Sequence, residues 1–183
     1  MSRPSPEPLF FDRFPSPIGT ILLVFDREER LRALDFEEYE DRMRRLLRLH
    51  YGANGFTLQA GPAPASIADL LRAYFAGNLK ALDSIPVRTG GTDFQRQVWA
   101  ALRTIPVGTT TTYGALAAKL GRPKAMRAVG LANGSNPVGI VVPCHRVVGA
   151  AGLTGYAGGL ERKSWLLAHE GIGLPGLSGT RAA

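Results

Sequence analysis

The stretch "TTYGALAAKLGRPKAMRAVGLA", Thr111 to Ala132, holds two short helical patterns separated by a tight turn. Gly121 is suited to stop the first helix, because only glycine takes the left-handed turn at no steric cost. Pro123 is suited to open the second, where its missing N–H is not needed. Two short helices joined so briefly predict a helix-turn-helix, whose second helix would enter nucleic acid. An ordinary αα-hairpin fits the same pattern. The second helix offers Lys124 and Arg127 among small residues, Ala125, Ala128, Gly130 and Ala132. It has no early Asn, Gln or Ser to read base edges by paired hydrogen bonds. Small residues instead let the helix backbone approach a duplex closely, which favours binding without sequence preference in the narrow minor groove.

Charge points the same way. The chain of 183 residues carries a formal net charge of +7. Residues 1–90 are balanced, with 12 basic and 12 acidic side chains, whereas residues 91–183 hold 10 basic and 3 acidic ones. The whole excess lies in the half that contains the paired helices. A basic half favours polyanionic partners, since each neutralised phosphate releases condensed counterions. A soluble basic protein without such a partner has the same totals.

The length suits one domain or two small ones. The N-terminal "MSRPSPEPLFFDRFPSP" is broken by prolines and charges, and "ILLVF" is too short to span a bilayer. A cytoplasmic location and no membrane partner are the resulting expectations. In the first half, "FFDRF", "TILLVFD", "LRALDF" and "GFTLQAG" read as strands. "EEYEDRMRRLLRLH" reads as a helix with Met43, Leu46, Leu47 and His50 on one face. "SIADLLRAYFAGN" reads as another, with Ser66 and Asp69 as a capping box. "SIPVRTGG" is a plausible linker, after which Thr92 and Gln95 should cap a helix over "TDFQRQVWAALRTI".

Downstream of the paired helices, Asn136 and Pro137 signal a turn, and "VGIVV" reads as a buried strand ending at Pro143. The only cysteine, Cys144, follows. The three histidines, at 50, 145 and 169, are too scattered for a zinc site with it. A lone cysteine in an apolar run is commonly inert core. Pro143 gives a reason for the chain to turn and expose Cys144, and a neighbouring base would make its thiol nucleophilic. His145 is adjacent in sequence, but successive strand residues face opposite ways, so these residues alone leave both readings open.

The combination of "PCHRV" at 143–147, "NPV" at 136–138 and "GYAGGLERKSWLLAHEG" at 155–171 resembles the O6-alkylguanine-DNA alkyltransferases, also called methylated-DNA–protein-cysteine methyltransferases. "RPKAMRAVG", "TTYGALAAKLG", "FQRQVW" and "LRAYFAGN" extend the resemblance to essentially the whole chain, most strongly over 92–171, and to the bacterial single-polypeptide type. The resemblance implies an α+β architecture. A small ribonuclease H-like α/β domain over 1–90 would support a mostly helical DNA-binding and alkyl-transfer domain over 91–171. The tail over 172–183, whose "LPGLSGTRAA" has no counterpart in that resemblance, is expected to be flexible.

It also implies a single-use repair reaction on O6-alkylguanine and O4-alkylthymine. The base is flipped out of the duplex, and Cys144 keeps the alkyl group as a thioether. His145 would activate Cys144 through a water, with Glu170 orienting His145 as in a catalytic triad. Arg127 would fill the place of the extruded base. Tyr113 would help rotate the nucleotide and hydrogen-bond the purine. Asn136 would fix the turn before the active-site strand. The Val147 carbonyl would accept from the guanine amino group, with Tyr156 and Ala157 on the pocket loop. Thr112, Tyr113, Arg122, Ala125, Met126, Ala128 and Gly130 would join Arg127 at the DNA.

Some relatives have serine in place of Ala157, but the contact there is a backbone N–H. Some bind zinc in the N-terminal half; this half has no cysteine, so no metal and no cofactor are expected. The expected partner is double-stranded DNA, bound through the minor groove without sequence preference by a monomer. Two other classes compete. An alkyltransferase-like protein binds lesions without catalysis, but typically replaces the nucleophile, often with tryptophan. A DNA-binding regulator using only its paired helices leaves Cys144, His145 and Glu170 without a purpose.

Overall fold

The computed structural model describes residues 5–173. The chain begins as a hairpin, β1 (Glu7–Ser16) and β2 (Gly19–Phe25), with Ser16 paired to Gly19. β3 (Leu31–Phe36) adds to the β2 edge in antiparallel fashion, and β4 (Phe56–Ala60) runs parallel to β1, giving the order β3-β2-β1-β4. β2 is buried on both faces, which explains its unbroken apolar run. Alternate residues serve different layers. Leu22 and Val24 pack with Met43 and Leu47 of helix α1 (Glu40–Tyr51). Ile21, Leu23 and Phe25 face the other way, into a cluster shared with α2 (Ala65–Phe75) and the second half of the chain.

That second half is helical: α3 (Asp93–Leu102), α4 (Tyr113–Lys119), α5 (Met126–Gly134) and α6 (Leu160–His169). Two short parallel strands, β5 (Thr111–Thr112) and β6 (Val147–Val148), lie among them. The architecture is α+β. One buried cluster runs from Phe14 through Val98 and Leu102 to Cys144, Val147 and Leu166, so sheet and helices share a core. No helix among the described residues is long and apolar enough to cross a membrane.

The local expectations fare unevenly. Thr92 and Gln95 do form a reciprocal capping box on α3. Ser66 does not cap α2: that helix starts one residue earlier, and the Pro64 carbonyl accepts from Ile67 and Ala68 at 2.9 Å each. Ser66 instead donates to Glu29, and Asp69 pairs with Arg72. Gly121, at φ +70°, does end α4: its N–H reaches the Ala118 carbonyl and the Arg122 N–H reaches Ala117, the paired bonds of a Schellman stop. Pro123 does not open α5. Arg122 to Ala125 close a turn of their own at 2.8 Å, and the helix begins only at Met126.

The strand expected over "VGIVV" is absent. Val138 makes a single bridge to Leu34 of β3, after which the chain coils. The Gly139 N–H still reaches the Leu34 carbonyl, but those of Val141 and Val142 bond locally, to Gly139 and Val138, so the pairing with β3 goes no further. Ile140 lies at φ +67°, a left-handed conformation rare for a β-branched residue. Val138, Ile140, Val141 and Val142 are nonetheless all buried. The apolar run is core without being strand. The tail from Leu174 to Ala183, expected to be flexible, lies outside the described residues.

Candidate active site

The coil before Cys144 is held by Asn136. Its side-chain oxygen accepts from the Val138 N–H at 3.0 Å and its amide donates to the Val142 carbonyl at 2.8 Å. The Cys144 N–H donates to that same carbonyl, also at 2.8 Å. Cys144 then opens a tight turn, Cys144–Arg146, that sends His145 and Arg146 inward. Cys144 is 5% exposed, not displayed at a strand end. Burial pushes its thiol up, while the Asn136 amide and the Lys163 charge pull the other way.

Behind the cysteine sits a buried carboxylate, Glu170, at the end of α6. Its Oε1 accepts from the Tyr74 hydroxyl, His145 Nε2 and Arg146 Nη2, each at 2.9 Å. Its Oε2 accepts from Arg146 Nε at 2.8 Å, completing a forked ion pair. Burial alone would raise Glu170, but the hydrogen bonds from His145 and Arg146 hold it at about 2. Glu170 is therefore ionised and can only accept. That fixes the histidine: Nε2 carries the proton, and Nδ1 presents a lone pair. Nδ1 is buried and hydrogen-bonded to no protein group among the described residues. Burial lowers His145 despite Glu170, so the ring is neutral. A neutral imidazole with its free lone pair next to a thiol-bearing residue can take up a proton.

Lys163 is the second buried charge. Fully buried on α6, it donates to the carbonyls of Val147 at 2.6 Å, Thr154 at 2.8 Å and Gly155 at 3.4 Å. Burial pushes it down to about 8, with the Cys144 charge acting against that. Val147 thus already accepts from Lys163, and it is paired alongside Thr111 of β5. Tyr156 and Ala157 lie in the irregular loop that Lys163 supports. The Tyr156 phenol is pushed up by burial.

A separate group lies on the paired helices. Thr112 accepts from the Ala115 N–H at 3.1 Å and caps α4, so its side chain already has a structural partner. Tyr113 follows at the start of α4, its ring packed on Gly130 of α5; a Cβ there would sit 3.8 Å from it. Met126 lies over Gly114 in the same way. Arg122, Met126, Arg127 and Ala128 are exposed, and Ala125 and Gly130 are half-buried. Arg122 stacks over Phe94 at 5.2 Å. Arg127 makes no hydrogen bond or ion pair among the described residues.

Sequence reasoning missed Tyr74, Arg146 and Lys163. Lys163 could have been found: with Leu166, Leu167 and Glu170 it shares the spacing of one buried helix face. Tyr74 sits within the ordinary helical pattern of "SIADLLRAYFAGN", and no local pattern links it to a residue 96 positions away. One other carboxylate group, Glu7, Asp26 and Glu28, is close enough to consider for a metal. Arg30 and Arg32 already occupy it, the latter fully buried against Asp26 at 2.8 Å, so the negative charge that would attract a cation is neutralised.

Comparison with known proteins bears on both halves. The family model "6-O-methylguanine DNA methyltransferase, ribonuclease-like domain" matches residues 10–89, and "6-O-methylguanine DNA methyltransferase, DNA binding domain" matches 93–172. A protein of Shigella flexneri named methylated-DNA–protein-cysteine methyltransferase is 54% identical over 89% of this chain and 96% of its own. The crystal structure of Mycobacterium tuberculosis O6-methylguanine methyltransferase aligns with TM-score 0.71 at 39% identity, covering 93% of this chain and 98% of that one. The same protein in complex with DNA aligns with TM-score 0.70, again at 39% identity, over 89% and 92% of the two chains.

Proposed function

Because this chain belongs to the 6-O-methylguanine DNA methyltransferase family, we propose that it repairs O6-alkylguanine, and O4-alkylthymine, in DNA by moving the alkyl group onto its own Cys144. The observation that carries this reading is the buried Glu170–His145 pair in the turn that Cys144 opens, which leaves His145 Nδ1 proton-free. The Cys144 proton passes through a bridging water to that nitrogen. The thiolate attacks the alkyl carbon, an S–C bond forms as the C–O6 bond breaks, and the electron pair returns to the purine. The purine takes up one proton, matching the one the thiol gave up, and the thioether remains, so each molecule acts once. Arg146 and Tyr74 keep Glu170 ionised and fixed while His145 gains and loses charge.

Residues 91–171 bind double-stranded DNA, and residues 1–90 frame the site. α5 lies along the minor groove without sequence preference, its small residues admitting close contact. Arg127 fills the stack left by the flipped nucleotide, and Tyr113 helps to turn it and hydrogen-bonds the purine. The Val147 carbonyl accepts from the guanine amino group, with Tyr156 and the Ala157 N–H completing the pocket.

The test is duplex DNA carrying O6-methylguanine, incubated with the folded protein, followed by peptide mass spectrometry. One methyl group on the peptide holding Cys144 is expected. A well-folded protein that leaves Cys144 unmarked sinks the reading. Cys144→Ser should lose transfer and keep duplex binding.

A further inference from the structure

The loop over residues 154–158 carries Tyr156 and Ala157 yet has no regular structure of its own. Its backbone carbonyls are accounted for in an unusual way. Those of Thr154 and Gly155 go to Lys163, Ala157 to Arg42 Nη1 at 2.5 Å, and Gly158 to Arg162 Nη1 at 3.2 Å. Tyr156 accepts from the Gly159 N–H at 2.9 Å. Four of five carbonyls are therefore held by cationic side chains. Arg42 comes from α1 in the first half, 115 residues away in sequence from the carbonyl it holds.

Both arginines are seated the same way, on a carboxylate and an aromatic ring from the end of β3 and the short stretch after it. Arg42 forks onto Asp35, at 2.9 and 2.6 Å, and lies 4.2 Å above Tyr39. Arg162 reaches Glu38 at 2.5 Å and lies 4.0 Å above Phe36, while its Nε bonds the Ile18 carbonyl. Asp35 is itself fixed, accepting from the Phe36 N–H at 2.8 Å. The same strand also holds the coil before Cys144: Leu34 donates to the Pro137 carbonyl at 2.9 Å and accepts from the Gly139 N–H at 3.0 Å. Gly158 leaves the loop no slack, since a Cβ there would meet the Tyr156 and Phe36 rings at 2.6 and 2.7 Å.

We propose that Arg42 is a positioning residue for alkyl transfer, fixing the pocket loop through the Ala157 carbonyl from a seat on Asp35 and Tyr39. This rests on the function proposed above. Planar forked pairing sets the direction of the guanidinium, so the third donor arrives at the carbonyl already aimed. Arg42 makes no hydrogen bond to the Cys144–His145–Glu170 relay, although its charge helps to lower the thiol. Its loss should loosen capture of the base far more than it changes the thiol chemistry.

The experiment uses the full chain and follows transfer from free O6-methylguanine base at rising concentration, which separates capture from the chemical step. Arg42→Ala should weaken capture roughly tenfold, a modest share of the ~100-fold loss that a misplacement of about 1 Å brings, with the limiting rate changed far less. Arg42→Lys, which keeps a donor for Ala157, should fall between in capture. It also keeps the charge that helps to lower the thiol, so its pH profile of Cys144 alkylation by iodoacetamide should match that of the wild type. Arg13→Ala removes ion pairs to Glu37 and Glu40 on the same stretch but no loop contact, and should behave as wild type. Should Arg42→Ala fail to fold, Arg42→Lys and Asp35→Asn carry the same expectation of weakened capture. Wild-type capture in the folded variants overturns the proposal, as does a shifted iodoacetamide profile in Arg42→Lys. A wild-type protein that transfers nothing overturns the proposed function instead.

Discussion

Two arginines nineteen positions apart in the second half of the chain live in opposite worlds. Arg146 is buried, with its guanidinium forked onto Glu170 and a further bond to the Ile105 carbonyl at 2.6 Å. Arg127 stands exposed on α5 with no partner among the described residues. The first is spent on the fold. It neutralises and orients a carboxylate that would otherwise be costly to bury. The second stays free, as the contact to DNA proposed for it requires. A basic half of a sequence thus mixes two kinds of cation, and net charge alone overstates what is available to DNA.

The hardest blow to the buried side is Glu170→Ala. It strands the Arg146 guanidinium and the Tyr74 hydroxyl in the interior, and such a break typically costs ~3–5 kcal/mol. Urea unfolding followed by tryptophan fluorescence should show a midpoint far below that of the wild type. A change below about 1 kcal/mol would mean that solvent reaches the site and the contrast with Arg127 is overdrawn.

Acid should erode the same region. His145 is held below its ordinary 6.5 by burial, so the unfolded chain binds its proton first. Stability from this group is complete above 6.5 and is lost as pH falls below it. Glu170, held at about 2 against an ordinary 4.5, adds a loss that begins near 4.5 and continues toward 2. His50, also lowered by burial, contributes to the first window. Denaturant midpoints from pH 7 down to 4 should fall steadily, less so in a His145→Gln variant that folds. A flat wild-type profile would contradict the buried neutral histidine.

How much of this contrast was legible beforehand depended on distance along the chain. Thr92 and Gln95 announced a cap because both partners lie within one turn. "LRALDF" announced β3, and Gly121 announced the break between the paired helices. "VGIVV" misled because a buried β-branched run looks the same whether its N–H groups extend a sheet or close a coil. Only Asn136, reaching both Val138 and Val142, decides between them. Cys144, His145 and Glu170 were named through family resemblance, since their own spacing left inert core open. The Tyr74–Glu170 and Arg42–Ala157 bonds span 96 and 115 residues, and no local rule encodes such pairs.

Lys163 offers a smaller test of the same sign at the alkaline end. Its folded value of about 8 lies below the ordinary 10.5, so above 8 the unfolded chain holds a proton that the folded one has released. Stability should therefore rise with pH from about 8 until phenol ionisation near 10 intervenes. Lys163→Met should flatten that rise. A rise that survives in the variant would assign it to another group.

The smallest expected effect on stability, and the one that most sharpens the comparison, belongs to Arg127→Ala. An exposed side chain without partners should cost no more than about 0.5 kcal/mol when truncated. Its consequence should appear only with DNA. Transfer from O6-methylguanine in a duplex should fall, while transfer from the free base stays near wild type, because a free base needs no flipping. Arg146 cannot show this pattern, since breaking the Glu170 fork would lower both reactions and the unfolding midpoint together. If Arg127→Ala reduced both substrates equally, the exposed arginine would have to act on the pocket itself, and the division between cations of the fold and cations of the interface would fail.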